Sequence, residues 1–549
     1  MKKSVFAVIG IFILLYIMPL GVRPMVIPDE TRYAEIPREM IVSGGWIVPH
    51  LDGFRYFEKP VLGYWLNAAS MVLFGQNAFA ARFPSAMAVG ISALFLFLTV
   101  RRFAGGYWIG IVAALVFLTC MEVFGVGVFS VLDSIFSMFV TAALISFFFA
   151  YMEVRFSKKT GLLALFGIFC GLAFLTKGFL AFAIPVMVIV PFMIWEERWK
   201  ELFRISWIPI VFAIMISLPW SIMIHFREPD FWNYFFWGEH IRRFMSDNAQ
   251  HSYPFWFFVP IIIGGAMPWT ALFPAAILGL CKERFNDPLI RFATSWFFFL
   301  FLFFSIANGK LGTYILPCFP PLAIFITVGL KKYLEGGKKR TFTFGASFLA
   351  VVAGVLAVIL VLSQATDFFG FRVYSSEETW KWIIGTAGLL LWISLLICAV
   401  KSTDFMKKLI LYSAAPMFFI LSAHFIMPDQ TIYRKAPGSF LMNNSNRVSP
   451  DNVLVTDGPV RAVCWFYKRN DVYILNGAGE LDYGLKYDDS RHRRLNVDQF
   501  KKLIEGDQGK KGVILITETK DYVRYKSILP KPVYADISGR FAFVQFEGK

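Results

Sequence analysis

Polar residues of a few types interrupt the long apolar stretches of this chain, and each type binds or balances a charged group. Pro28-Asp29-Glu30-Thr31-Arg32-Tyr33-Ala34-Glu35 comes first. Helical spacing puts Asp29, Arg32, Tyr33 and Ile36 on one face, and Pro37 limits that helix to a short piece lying on the surface. Asp29 there either caps the helix, a common use of Asp, or presents a carboxylate to a polar substrate. In Phe57-Glu58-Lys59-Pro60, Lys59 suits a phosphate and Glu58 a metal or an amine; the alternative is an interfacial anchor with the lysine snorkelling. Asp133, in VFSVLDSIFSMF, has no charge near it in sequence, so it must find a partner in the fold or stay protonated. Lys177 (FLTKGF) and Lys310 (NGKL) each follow an apolar run and adjoin a glycine, which lets backbone and ligand approach closely. Tyr314 follows Lys310. In WGEHIRRF, Arg242 and Arg243 suit a phosphate, because guanidinium grips its oxygens in a fork. His240 with a carboxylate such as Glu58 would hold a divalent cation, although no metal-type spacing is present and a hydrogen-bonded surface histidine is the simpler reading.

These residues need elements to position them, and composition decides which kind. The 549 residues are 57% hydrophobic and only 17% charged, against about 45–50% and about 25% in a typical soluble domain. A soluble enzyme, a disordered chain and a fibrous protein are excluded; this is a polytopic membrane protein. Runs of about 20 apolar residues give about thirteen candidate spans, centred near Ile13, Leu94, Val116, Leu144, Phe169, Val188, Ile214, Ile263, Phe301, Ile324, Val355, Leu391 and Phe418. Lys and Arg collect in alternate short connections, which puts the N-terminus in the cytoplasm and, with an odd span number, the C-terminus outside. The start, MKKSVFAVIGIFILLYIMPLGV, lacks a small-x-small cleavage site and reads as an uncleaved first span. An ionisable group inside a span costs about 2.5–3.5 kcal/mol. External lysines also run against the charge preference, so Lys59, Lys177 and Lys310 point to an anionic ligand at the outer membrane surface.

Two long external loops, about 23–82 and 226–253, belong with residues 1–426. From Met427 the composition changes: DNVLVTDG, DVYILNG, KGVILITET and RFAFVQFEG read as strands, and VDQFKKLIEG as an amphipathic helix, so residues 427–549 form a small external α/β domain. Six cysteines give no disulfide framework and no CxxC. The excess of 54 Lys+Arg over 38 Asp+Glu signals cytoplasmic loops first and an anionic partner only second; no nucleic-acid partner is expected.

PDETRYAEIPREMIVSGGWIVPHLDGFRYFEKP, VLD, TKGF, REPDFW, WGEHIRRF, GKL-TYIL and, in the tail, Gly479-Glu480-Leu481 and Tyr483-Gly484-Leu485 together resemble the aminoarabinose transferases that modify lipid A. The resemblance implies a GT-C membrane glycosyltransferase of the inner membrane. Such an enzyme moves 4-amino-4-deoxy-L-arabinose from undecaprenyl phosphate to lipid A phosphates, masks their charge and gives resistance to polymyxin and cationic peptides. It implies catalytic roles for Asp29, Asp133 and Arg32, and substrate contacts for Glu58, Lys59, Lys177, Arg243, Lys310 and Tyr314. Membrane-lipid partners and a monomer are expected, with Glu58 and His240 the residues that would hold a divalent cation. Gly312 departs from the family's usual proline, which loosens the backbone beside Lys310. The rivals are a GT-C enzyme moving another sugar or using a protein acceptor, and an anionic-lipid transporter. The transporter calls for inverted repeats and midplane charges, and the sequence has neither.

Overall fold

The computed structural model describes residues 2–242, 252–281, 285–337, 339–366, 372–506 and 512–547. The chain forms two compact units, one of Met1–Val22, Arg82–His225 and Trp232–Pro428, the other of Arg23–Ala81, Phe226–Phe231 and Asp429–Lys549.

The first unit is helical because its side chains are apolar on nearly every face, and in lipid only a helix satisfies its own backbone. Among the described residues nine helices are long and apolar enough to cross a membrane, and two bent pairs raise this to eleven. All thirteen expected centres fall on apolar helices. Nine lie in those long helices, Val116 and Ile263 in the pairs bent by 67° and 92°, and Ile13 and Val188 in the shorter Phe6–Ile17 and Leu180–Trp195. The count of thirteen spans is therefore not reached by length alone. Leu132–Met152 and Phe156–Lys177 follow one another as a tight helical hairpin, which returns the end of the second helix to the start of the first.

In the second unit, helix Asp29–Ser43 packs on helix Val460–Tyr467 of the C-terminal part. The expected short, surface-lying helix is corrected: residues Glu30–Met40 are all buried and the helix runs through Pro37. Proline has no N–H to give to the carbonyl four residues earlier; here Asn67 Nδ2 donates to Tyr33 O instead, at 2.9 Å. Strands β1 (His50–Leu51) and β2 (Phe54–Arg55) form an antiparallel hairpin closed by Asp52-Gly53, with φ of 58° and 79°, the left-handed pair a two-residue turn requires.

The C-terminal part carries the expected sheet. Its strands are β3 (Val453–Asp457), β4 (Tyr473–Leu475), β5 (Arg494–Leu495), β6 (Val513–Glu518), β7 (Tyr534–Ser538) and β8 (Phe541–Phe546), in spatial order β5-β4-β3-β6-β8-β7. The run β5-β4-β3-β6 is parallel, and β8 and β7 add antiparallel. VDQFKKLIE is a helix, Val497–Glu505, with a capping box between Asn496 and Gln499, and it buries Phe500 and Ile504 in the domain core.

Gly53 shows how closely the loop and this domain fit. A Cβ there would lie 2.1 Å from Asn470 O, on a backbone already at φ +79°. Gly53→Ala is therefore expected to destabilise the second unit by about 2–3 kcal/mol, read as a lowered unfolding midpoint of the purified protein. An unchanged midpoint would refute the tight approach.

Candidate functional site

In the second unit the first turn of helix Asp29–Ser43 sets up a chain of charges. Pro28 is the N-cap and Asp29 the first helical residue, so Asp29 does not cap the helix; its carboxylate lies 3.2 Å from Arg32 Nη2, one turn on. Arg32 Nη2 also reaches Glu480 Oε1 at 3.0 Å, and the other Glu480 oxygen takes Arg461 Nη2 at 2.9 Å. Burial pushes the Arg32 guanidinium toward its neutral form, but Tyr56, Tyr33, Glu480 and Asp29 outweigh that and hold its pKa well above the ordinary value. Arg32 is thus a permanent, nearly buried cation, while Asp29 keeps 46% of its side chain accessible.

Beside it, Tyr56 Oη donates to Glu58 Oε2 at 2.9 Å, and Lys59 Nζ donates to the Glu58 carbonyl at 2.8 Å. Glu58 is buried and Lys59 half-buried. Burial raises the Tyr56 hydroxyl pKa far above its ordinary value, so it remains a proton donor. Arg55 binds Glu228 (3.0 Å) and Asp489 (2.7 Å) and stacks on Tyr487, which ties the REPDFW segment to the tail.

In the first unit, Asp133 lies in the first turn of Leu132–Met152 and Lys177 ends Phe156–Lys177. Each charge complements its own helix dipole, and the hairpin brings them together at 2.5 Å. Lys177 Nζ also lies 4.4 Å over the Tyr314 ring and 5.5 Å from Phe136. Gly178 follows at φ +94° and turns the chain sharply out of the helix. Lys310, 3% exposed, donates to the carbonyls of Tyr253 at 2.8 Å and Ala307 at 2.5 Å. Burial pushes the Lys310 ammonium below its usual pKa range. Two of its three N–H groups thus brace the turn that carries it. A Cβ on Gly312 would touch only Ile261, at 3.8 Å, so nothing there demands glycine.

The structure therefore gathers Asp29 with Arg32, Glu58 with Lys59, and Asp133 with Lys177 and Tyr314, and sets Lys310 on backbone carbonyls. Arg243 lies outside the described residues, and so does the side chain of His240, whose backbone belongs to Asn233–Arg242. Glu480 and Arg461 carry no role in the sequence reading; Glu480 stands out there only within a tail motif, and its link to Arg32 spans most of the chain.

Long apolar helices, charged residues at helix ends and a separate α/β part define a class, and comparison with solved structures agrees. The fold matches that of ArnT from Cupriavidus metallidurans, solved bound to undecaprenyl phosphate, with a TM-score of 0.84 and 23% identity over 99% of this chain and 98% of that one. This is the GT-C membrane glycosyltransferase fold. Residues 1–235 match the family model for dolichyl-phosphate-mannose-protein mannosyltransferase, and residues 432–545 that for the arabinosyl transferase ArnT C-terminal domain. The undecaprenyl phosphate-α-4-amino-4-deoxy-L-arabinose arabinosyl transferase of Shewanella sediminis is 39% identical over 98% of this chain and 96% of its own length. That of Edwardsiella ictaluri is 38% identical over the full length of both. The chain belongs to this arabinosyl transferase family.

Proposed function

We propose that this multi-pass membrane protein transfers 4-amino-4-deoxy-L-arabinose from undecaprenyl phosphate to phosphate groups of lipid A. The reaction lies at the periplasmic face of the inner membrane, with the N-terminus cytoplasmic and residues 427–549 periplasmic. The observation that carries the reading is end-to-end similarity to arabinosyl transferases, in a chain whose cations sit at helix ends and loops.

In the transfer a lipid A phosphate oxygen attacks the anomeric carbon, the bond from that carbon to the undecaprenyl phosphate oxygen breaks, and undecaprenyl phosphate leaves with the electron pair. The nucleophile is already an anion, so no strong general base is needed. The barrier falls by holding two anionic lipids in line and stabilising charge on the departing phosphate. Lys59, Arg243 and Lys310 supply that charge, with Tyr314 as a neutral donor; Asp29 and Asp133 orient acceptor and sugar. Glu58, buried and hydrogen-bonded by Tyr56, is the carboxylate that would hold a divalent cation, and such an ion would screen the repulsion between phosphates. The product carries an ammonium beside each modified phosphate, which weakens the attraction for polymyxin and other cationic peptides.

The test is a mass spectrum of lipid A from cells supplied with the donor pathway, with and without this protein. An added aminopentose only when the protein is present is the expected result. A different sugar would overturn the donor and keep the reaction class. Unmodified lipid A, with donor present and protein in the membrane, would overturn the acceptor and turn attention to proteins.

A further inference from the structure

The tip of the β1–β2 hairpin presents an unusual group. An Asp-Gly turn normally places its carboxylate in water, yet Asp52 is completely buried, no N–H or O–H donor reaches either of its oxygens, and the Cys464 thiol is the one side-chain donor set against it. Its backbone is pinned on both sides: Arg493 Nη2 donates to Asp52 O at 2.9 Å, and Gly53 N–H donates to both Glu39 oxygens at 3.0 and 3.1 Å. The side chain is thereby directed onto Glu35 and Cys464, and one ligand atom from each of the three lies within 4.8 Å of the others. All three residues are fully buried. Among the described residues this is the one group of three or more metal-type side chains so placed.

A buried carboxylate whose one donor is a weak thiol costs several kcal/mol unless a proton or a cation satisfies it. Glu35 is held by Arg38 through Nε at 2.7 Å and through Nη2, as ligating carboxylates commonly are held by an outer partner. Two guanidiniums, Arg38 and Arg493, are buried here with the carboxyls Glu35, Glu39 and Asp52 and the Cys464 thiol. Thiolate with carboxylates suits a borderline ion. Metal–ligand bonds of about 2.0–2.3 Å set tetrahedral ligands about 3.5 Å apart, within reach of small side-chain rotations.

We propose that Glu35, Asp52 and Cys464 form a binding site for a divalent transition ion of the zinc class, which staples helix Asp29–Ser43 and the β1–β2 hairpin to helix Val460–Tyr467. Binding forms a metal–sulfur bond and releases the thiol proton to solvent. The position of the helix that carries Asp29 and Arg32 then depends on the ion as well as on packing.

The full-length Glu58→Gln protein in detergent, in which the other candidate cation site is disabled, stripped with chelator under reducing conditions and reloaded with Zn2+, should retain one ion per chain. Adding Asp52→Asn or Cys464→Ser to it should lower that retention at least tenfold. Cobalt in place of zinc should give a thiolate-to-metal charge-transfer band that Cys464→Ser abolishes and that survives in a variant keeping Cys464 as its sole cysteine. That last variant keeps the test decisive should Cys464→Ser fail to fold. No retained ion in the Glu58→Gln protein, or no thiolate band in either wild type or the Cys464-only variant, would overturn the site and leave a shared proton as the group that satisfies Asp52.

Discussion

Asp29→Asn is expected to lower transfer by about 10²–10³-fold while the protein accumulates in the membrane and unfolds close to the wild-type midpoint. Nearly half of the Asp29 side chain is accessible, so the change removes a charge rather than a buried contact. At the first helical position that charge contributes about 0.3–1 kcal/mol through the helix dipole, too little to unfold a unit whose helix is buried from Glu30 to Met40. Arg32 does not come loose either, because Glu480 holds it at 3.0 Å and the asparagine carbonyl can still accept its hydrogen bond. On the proposed mechanism, what disappears is the anion that orients the aminosugar and balances the positive charge that develops on it. The loss should therefore fall on kcat more than on KM, measured with lipid-linked donor and the product read by mass spectrometry. A variant retaining more than a tenth of wild-type turnover would remove Asp29 from the chemistry and leave it a helix-end charge.

The membrane unit was legible because lipid imposes one requirement, a long apolar helix, which a single stretch of sequence displays. Nine of the thirteen expected centres fell on such a helix, and the other four on bent or shorter apolar helices. The bends were not legible, since a 67° or 92° break leaves the hydropathy of the two halves unchanged. In the first loop, Pro37 announced a helix end, but the Tyr33 carbonyl it leaves unpaired is satisfied by Asn67 from another helix, and local sequence cannot signal that. The Asp29–Arg32 pair was readable from spacing. Asp133 was readable only as a group that had to find a partner, and the partner stands 44 residues away. Glu480, Arg461 and the Glu35–Asp52–Cys464 group depend on the tail folding back on the loop. An Asp-Gly pair such as Asp52-Gly53 reads as turn chemistry and nothing more until that packing is seen.

Asp133→Asn and Lys177→Met should each cut transfer by about 10²-fold or more, yet differ from Asp29→Asn in also weakening the fold. The two charges meet at 2.5 Å with 13% of each side chain accessible, between the surface case, worth about 0–1 kcal/mol, and the buried case, where removing one partner costs about 3–5 kcal/mol. A loss of about 2–3 kcal/mol is expected for either single change. Lys177→Met additionally takes the ammonium from the Tyr314 ring, 4.4 Å away, whereas Asp133→Asn leaves that contact in place. The double variant separates structure from chemistry. With both charges gone no unpaired ion remains, so stability should return to within about 1 kcal/mol of wild type, a coupling of about 3 kcal/mol or more, at the top of the range for residues in direct contact. On the proposed mechanism transfer should not return, because Asp133, proposed to position the sugar, and the cation beside Tyr314 are lost together. Unfolding midpoints and turnover measured on the same four preparations, wild type included, decide the matter: if stability and turnover recover together, the pair is a helix-end tie and carries no catalytic role.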